Sequence, residues 1–91
     1  MKINSSFGAE KGQCAAISQH VYDVQTGFGR QMRLCTGWTD KKIGHQWAEY
    51  FQDGKWRLWD SAHFAIGKSW FTAEETGYVT FRCSTCGEVI S

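Results

Sequence analysis

The chain of 91 residues is long enough for one small domain, and its composition supplies a dense core: 42% of residues are hydrophobic, with five Trp, six Phe and three Tyr. This aromatic content excludes intrinsic disorder, which is typical of chains with few aromatics and a large net charge. Ten basic residues against nine acidic ones give a net charge of +1, so bulk electrostatics favour neither nucleic acid nor an anionic membrane as a partner.

The N-terminal residues, Met1 to Ser5, lack the apolar stretch of a signal peptide, and no apolar run approaches the roughly 20 residues of a membrane span. We therefore expect a cytoplasmic protein whose four cysteines stay reduced. Two disulfide bridges are the alternative, because four cysteines in a short chain can also form a disulfide framework.

The first predicted element is a helix from Cys14 to Val24, where apolar residues recur at helical spacing, and Gly27 is its expected stop. The preceding dozen residues carry no such pattern and predict an arm or loop. A strand is predicted over residues 30–36, because apolar and polar residues alternate there. One face of that strand would carry Met32 and Leu34, and the other Gln31, Arg33 and Cys35.

An aromatic-rich β-hairpin follows, with strands over 45–52 and 55–61 joined by Asp53-Gly54. Asp-Gly is preferred in a two-residue type I′ turn, because both positions need a positive φ. Beyond the hairpin, residues 64–75 are ambiguous, residues 78–81 predict a strand, and a Cys-x-x-Cys-Gly turn over 83–87 precedes a short tail.

The two-residue turn determines which hairpin residues face one another. Counting outward from the turn sets Trp47 opposite Asp60 and makes His45 and Asp60 diagonal neighbours, with Cα atoms about 7–8 Å apart. Because this face is rich in apolar residues, we expect the helix to cover it. Its members are His45, Trp47, Glu49, Phe51, Trp56, Leu58 and Asp60. Glu49 needs a partner there, for which we expect Arg33 of the neighbouring strand.

A nucleophile for the His–Asp pair is available in Cys14. This residue starts the predicted helix, and the partial positive charge at a helix N-terminus lowers the pKa of a thiol. A nucleophile, a base and an orienting acid therefore occur in that order along the chain, as Cys14, His45 and Asp60. The hairpin register predicts the contact between His45 and Asp60, whereas the approach of Cys14 to His45 is a hypothesis.

Each of these three residues also has an ordinary structural interpretation. A lone Cys is often a small buried hydrophobe, a His on an aromatic face is often a core residue, and Asp60 could lie at an exposed strand end. Their joint occurrence at compatible positions favours the catalytic interpretation. His63 is a rival of His45 as the base, and His20 on the predicted helix is expected to be solvated.

The ordered set of motifs resembles the transglutaminase-like superfamily, a branch of the papain-like cysteine enzymes. In that superfamily a Gly-x-Cys opens a helix, a Gly-containing strand follows, and a His-x-Trp-x-Glu strand leads to Gly-x-Trp and an Asp. The matching segments here are Gly12-Gln13-Cys14, residues 29–38, His45-Gln46-Trp47-Ala48-Glu49, and Gly54-Lys55-Trp56 with Asp60. Together they lie within residues 12–61.

The resemblance implies a triad of Cys14, His45 and Asp60. Cys14 would attack a carboxamide or peptide carbonyl to form a thioester, His45 would carry the proton, and Asp60 would orient His45. Water as the acceptor gives proteolysis or deamidation, which we favour over the cross-linking that an amine acceptor gives. This chemistry requires no cofactor.

Two features depart from the superfamily. Only thirteen residues precede Cys14, so the side chain of Gln13 is our candidate for the oxyanion donor. The substrate groove is short, with Trp38 and Trp47 as the candidates for its walls. We therefore expect a protein or peptide substrate, and a homodimer or a partner protein that completes the site.

The C-terminal pair Cys83 and Cys86 resembles one knuckle of a zinc ribbon, which offers two thiolates from a tight turn. A complete structural zinc site needs four ligands, and the further candidates are Cys35, His20, His63 or a second chain. A redox pair and a plain reduced pair are the other interpretations. If zinc used every cysteine, the chain would be a non-catalytic, zinc-stabilised protein-interaction module.

The sequence thus predicts one α+β domain over residues 1–91, with a helix packed on a small antiparallel sheet. Residues 12–61 would form the catalytic core, and residues 62–91 a C-terminal extension that carries the Cys-x-x-Cys turn. The leading function is a thiol-dependent hydrolase or acyl transferase acting on peptide or side-chain amides. The competing function is the zinc-stabilised interaction module.

Overall fold

The computed structural model describes residues 7–62, 68–85 and 88–89, with side chains over 14–62 and 68–84. Within these ranges the chain forms two helices and five strands, which confirms the α+β class. In chain order they are α1 (Phe7–Gly27), β1 (Met32–Trp38), β2 (Gly44–Gln52), β3 (Lys55–Trp59), α2 (Ala73–Thr76), β4 (Val79–Thr85) and β5 (Glu88–Val89).

The five strands make one antiparallel sheet in the order β3-β2-β1-β4-β5. The segment predicted as a C-terminal extension therefore supplies β4, which pairs directly with the central strand β1. The predicted strand over 78–81 is longer than expected, and Cys83 lies inside it, opposite Cys35. The prediction that Cys83 belongs to a turn is wrong, because pairing with β1 extends the strand through Thr85.

The hairpin has the predicted register. Gln52 pairs with Lys55 and Glu49 with Leu58, while Asp53 and Gly54 have φ values of 54° and 80°. The two positive φ values are those of a type I′ turn, whose twist matches that of the flanking strands. Because β3 ends at Trp59, Asp60 lies one residue beyond the last regular strand position.

The helix begins earlier than predicted. It spans Phe7–Gly27, so Cys14 lies seven residues after its first residue rather than in its first turn. Apolar periodicity becomes visible only from Cys14, whereas the helical backbone extends further toward the N-terminus. The electrostatic effect of a helix end falls off within one turn. The predicted activation of the thiol by the helix N-terminus is therefore wrong.

The helix also covers the other face of the sheet. Val21 of α1 packs with Met32, Ala48 and Tyr50, whereas Trp47 and Leu58 belong to a separate cluster with Ala73, Tyr78 and the two strand cysteines. The expectation that α1 covers the His45 face is wrong. Four consecutive residues of β2, from Trp47 to Tyr50, are all buried, so both faces of this strand are covered and alternation alone did not distinguish them.

A disulfide joins Cys35 of β1 to Cys83 of β4, and both residues are buried. The two cysteines are paired directly across the antiparallel strands, with a Cα–Cα distance of 4.0 Å. The expectation that they stay reduced is therefore wrong for this pair. Disulfides are more typical of oxidising compartments, so a cytoplasmic location stays a prediction. Among the helices described, none has the length and apolar character that crossing a bilayer requires.

Candidate functional site

The hairpin brings His45 and Asp60 into contact, as its register predicted. His45 is the second residue of β2, and its Nε2 lies 3.0 Å from Oδ1 and 2.8 Å from Oδ2 of Asp60. The two side chains are only 5% and 1% exposed. Because a carboxylate only accepts hydrogen bonds, Nε2–H of the imidazole is the donor, and Nδ1 is the ring atom that a base reaction would use.

Tyr78 is a third member of this cluster, and the sequence pattern did not indicate it. Its hydroxyl donates to Oδ2 of Asp60 at 2.8 Å, and the residue is 3% exposed. Burial, reinforced by the negative charge of Asp60, raises the pKa of Tyr78 far above its usual range, so the phenol stays a donor. A buried tyrosine hydroxyl normally needs a partner, but no local pattern indicates one 18 residues away.

Trp47 packs within the cluster as an aromatic support. Its ring stacks on His45 with centroids 5.9 Å apart, and Tyr78 meets it edge-on at 5.0 Å. Trp47 has no exposed surface, so the prediction that it forms a wall of the substrate groove is wrong. The ring instead shields the His–Asp pair from water.

Helix α1 carries Cys14 toward the start of β2. Ser18 accepts a hydrogen bond from Nε2 of Gln46 at 2.9 Å, and its hydroxyl donates to the carbonyl of Cys14 at 2.7 Å. Further along, Val21 packs on Ala48, so α1 and β2 advance in the same direction. Cys14 precedes Ser18 by four residues, about 6 Å along the helix axis, and so lies toward the His45 end of the strand.

An electrostatic effect also relates Cys14 to the cluster. After burial and the charge of Asp60, the charges of Asp40 and Cys14 are further causes that raise the pKa of Tyr78. Cys14 is half-buried, and it is the cysteine of the described segments that is not in a disulfide. The thiol and the His–Asp–Tyr cluster therefore belong to the same end of the molecule.

Trp38 lies beside this cluster on the surface. It is 41% exposed and pairs across the sheet with Gly44, the residue before His45. An open groove of about 400 Å³ begins at this tryptophan. The groove is lined by Trp38, Thr39, Asp40, Lys42, Gly77 and Val79. Since Gly77 immediately precedes Tyr78, the groove adjoins the cluster.

Glu49 has the partner that the sequence predicted. Its Oε1 accepts from Nε of Arg33 at 2.9 Å and lies 2.7 Å from Nη2, while Oε2 accepts from Nε1 of Trp47 at 2.8 Å. The carboxylate is 1% exposed, so it is buried with a charged partner and a second donor. This glutamate supports the tryptophan beneath His45.

The remaining predicted residues are less informative. Cys83 is bonded to Cys35 and offers no thiolate in this state, while Cys86 lies outside the described residues. In the described part, ligand atoms of Cys35, Glu49 and Cys83 lie within 4.8 Å of one another, but Arg33 already binds the carboxylate. The side chain of Gln13 and all of His63 also lie outside the described residues, and His20 is exposed on α1.

The interpretation of this site rests on its geometry, because comparisons with known proteins found no match. No family model matches the chain, and neither a curated protein nor a solved structure shows significant similarity to it. The resemblance to transglutaminase-like enzymes stays a prediction from the motifs.

Proposed function

We propose that the chain is a thiol-dependent hydrolase or acyl transferase with a minimal transglutaminase-like core, acting on peptide or side-chain amides through Cys14, His45 and Asp60. The observation that supports this most is the buried pair in which Asp60 holds Nε2 of His45 at 2.8 Å. A buried carboxylate on one ring nitrogen is the arrangement that orients a histidine base and stabilises its imidazolium form.

In the proposed reaction, Sγ of Cys14 attacks the carbon of an amide and its proton passes to Nδ1 of His45. The C–N bond breaks as the imidazolium returns that proton to the leaving amine, which leaves a thioester on Cys14. A water molecule then gives a proton to His45 and attacks the thioester, so that the acid is released and the thiol is restored. An amine in place of water gives a new amide, and we favour water.

The environment supports the proton transfers. Trp47 and Tyr78 enclose the histidine and exclude water, and charge interactions are stronger in such a low-dielectric setting. Asp60 need only orient His45 and stabilise its charge, since the proton stays on the imidazole. These steps use side chains of this chain alone and need no cofactor.

The surface next to the cluster suggests the substrate class. The groove that begins at Trp38 combines apolar walls, Trp38 and Val79, with the charged side chains of Asp40 and Lys42. It is open along the surface, which suits a segment of a protein or peptide. A homodimer or partner protein would supply further walls of the groove. The location that we propose is the cytoplasm.

The test is a comparison of thiol reactivity among variants. Iodoacetamide labelling near neutral pH, located by peptide mass spectrometry, is expected to modify Cys14 fastest. His45→Ala should slow that labelling by about 100-fold at mildly acidic pH, the scale of general-base assistance. Asp60→Asn should slow it less, because the imidazole remains. The matched control is His20→Ala, which removes an exposed histidine from α1, the helix that carries Cys14.

Measurements of substrate turnover distinguish hydrolysis from acyl transfer to an amine. A library of glutamine-containing peptides is expected to show cleavage or ammonia release that Cys14→Ser abolishes, and added amine would be incorporated only by a transferase. If Cys14 labels no faster than an ordinary thiol and His45→Ala changes nothing, the triad has no catalytic role.

The alternative is a zinc-stabilised interaction module. It would use the buried cluster of Cys35, Glu49 and Cys83, with the two cysteines as thiols in a reducing cytoplasm and with zinc displacing Arg33 from Glu49. Protein purified with a reductant would then carry zinc, and a chelator would loosen the C-terminal segment. Metal-free protein with an unchanged folded spectrum would contradict this alternative.

A further inference from the structure

We infer that Tyr78 is a positioning residue of the proposed site: its hydroxyl holds the carboxylate of Asp60 in the orientation that binds His45. This inference rests on the proposed function, but its test does not need turnover. It also implies that the C-terminal part of the chain, beyond the core predicted over 12–61, completes the site.

The carboxylate of Asp60 is held by two donors at once. Its Oδ2 lies 2.8 Å from Nε2 of His45 and 2.8 Å from the hydroxyl of Tyr78, and its Oδ1 lies 3.0 Å from the same Nε2. Rotation of the carboxylate would break at least one of these bonds. The tyrosine therefore restricts the plane in which Asp60 can meet the imidazole.

Burial makes that hydroxyl hard to replace. Asp60 and Tyr78 are 1% and 3% exposed, so bulk water cannot take the place of the phenol without opening the core. Leaving a buried carboxylate short of a donor costs more than the loss of an ordinary hydrogen bond. The contact therefore constrains the orientation of the Asp60 carboxylate.

The backbone presents Tyr78 to Asp60 in a defined position. Helix α2 is closed at its start by a capping box between Thr72 and Glu75, and at its end by Gly77 with φ of 94°. The amide of Tyr78 then donates to the carbonyl of Ala73 at 2.8 Å, and β4 begins at the next residue. A tyrosine anchored between a capped turn and a strand is pre-organised as a donor.

Loss of the hydroxyl should have two separable consequences. The phenol withdraws part of the negative charge of Asp60, so its removal leaves a carboxylate that stabilises the imidazolium of His45 more strongly. The same removal frees the carboxylate to rotate, which weakens its hold on the imidazole orientation that proton transfer requires. The first effect changes where His45 titrates, and the second changes the rate of thiol activation.

The experiment compares Tyr78→Phe with Tyr50→Phe in the full chain. Tyr50 is the matched control, because it is 1% exposed and its hydroxyl donates to the carbonyl of Ser69 at 2.8 Å, on the α1 side of the sheet. The titration of the His45 imidazole is followed by 15N-resolved NMR, and Cys14 alkylation is measured across the same pH range.

Tyr78→Phe is expected to move the His45 midpoint upward by about 0.5 pH unit, a threefold change in proton affinity, and to slow Cys14 alkylation at neutral pH about threefold or more. Tyr50→Phe should remove similar stability and leave the midpoint in place. A merely structural role of Tyr78 would give the two variants the same midpoint as the parent, which would overturn the inference.

If Tyr78→Phe does not fold, incorporation of 3-fluorotyrosine replaces it in this experiment, because it keeps the shape of the ring. Its more acidic hydroxyl is a stronger donor, so the His45 midpoint should move downward, and an unchanged midpoint would overturn the inference. An unreactive Cys14 in the parent chain would contradict the proposed enzyme alone, because the His45 titration still reports on Tyr78.

Discussion

The two faces of the sheet are stabilised in different ways. Under α1, the core is formed by apolar contacts among Val21, Met32, Ala48 and Tyr50. On the other face, the carboxylates of Glu49 and Asp60 are buried among Trp47, Tyr78 and a disulfide. In the described part of the chain, every buried side-chain nitrogen and oxygen has a hydrogen-bond partner.

This contrast between the two faces indicates where the functional residues of this small domain lie. A buried charge is costly unless it is paired, so a face that carries two carboxylates maintains them at the expense of simple packing. Buried polar clusters of this kind occur often at functional sites. Each face has an apolar cluster, but the face opposite α1 also buries His45 and Asp60 of the proposed triad, while Cys14 lies on α1 itself.

The face that buries Glu49 and Asp60 is called the polar face. The largest loss of stability is expected from removing its cation, Arg33. Arg33→Met leaves Glu49 with a buried, uncompensated charge, and loss of one partner of such a pair typically costs about 3–5 kcal/mol. Arg33 keeps some exposure to water, so we expect about 3 kcal/mol, measured by urea unfolding. The double variant Arg33→Met/Glu49→Gln should recover at least half of the loss, since the neutral amide still accepts from Trp47. Equal losses in the single and double variants would contradict the role of charge.

A loss of stability of similar or smaller size is expected from reducing the disulfide between Cys35 and Cys83. This bridge closes a loop with a sequence separation of 48, and loss of such a link typically lowers the free energy of unfolding by about 2–4 kcal/mol. Urea unfolding with and without a dithiol, in a Cys14→Ser background, measures the difference. Amide exchange should increase in β4 more than in α1. Identical unfolding midpoints, with the bridge shown to be reduced, would contradict the prediction.

The smallest expected effect is a loss of stability at alkaline pH that is steeper for the polar face. Burial raises the pKa of Tyr78 and of Tyr50, but nearby acids reinforce the shift at Tyr78, whereas Arg57 and Arg30 oppose it at Tyr50. Above pH 10 the unfolded chain loses phenol protons that the folded chain retains, so stability falls by up to about 1.4 kcal/mol per pH unit for each such tyrosine. Below pH 10 both states are protonated, and no loss is expected.

Thermal unfolding between pH 9 and 11.5 checks this prediction. Tyr78→Phe should flatten the alkaline loss more than Tyr50→Phe does, because its phenol retains the proton to higher pH. The two variants would have the same slope if both hydroxyls titrated alike, and that result would contradict the asymmetry between the faces.

Several contacts of the site were predictable because they depend on local geometry. The turn at Asp53-Gly54 sets the hairpin register, and register alone brings His45 to Asp60. The same counting left Glu49 on a face where it needed a cation, and alternation in the neighbouring strand offered Arg33. Each of these inferences requires only the two-residue repeat of a strand and a known turn type.

The side of the sheet that α1 covers was not predictable in this way. Trp47, Ala48, Glu49 and Tyr50 are all buried, so the strand lacks the single apolar face that alternation identifies. The start of the helix was missed for a related reason, because an apolar stripe shows where a helix is buried and not where its backbone begins.

The local elements followed from sequence patterns alone: the amphipathic segment of α1, the hairpin and its register, and with them the His45–Asp60 contact. The tertiary structure alone decided which face α1 covers, that β4 pairs with β1 to join Cys35 to Cys83, and that Tyr78 reaches Asp60. The cause is sequence separation. Turns and strand periodicity act over a few residues, whereas the Tyr78–Asp60 contact and the Cys35–Cys83 bond join residues 18 and 48 positions apart and form only when the sheet is assembled.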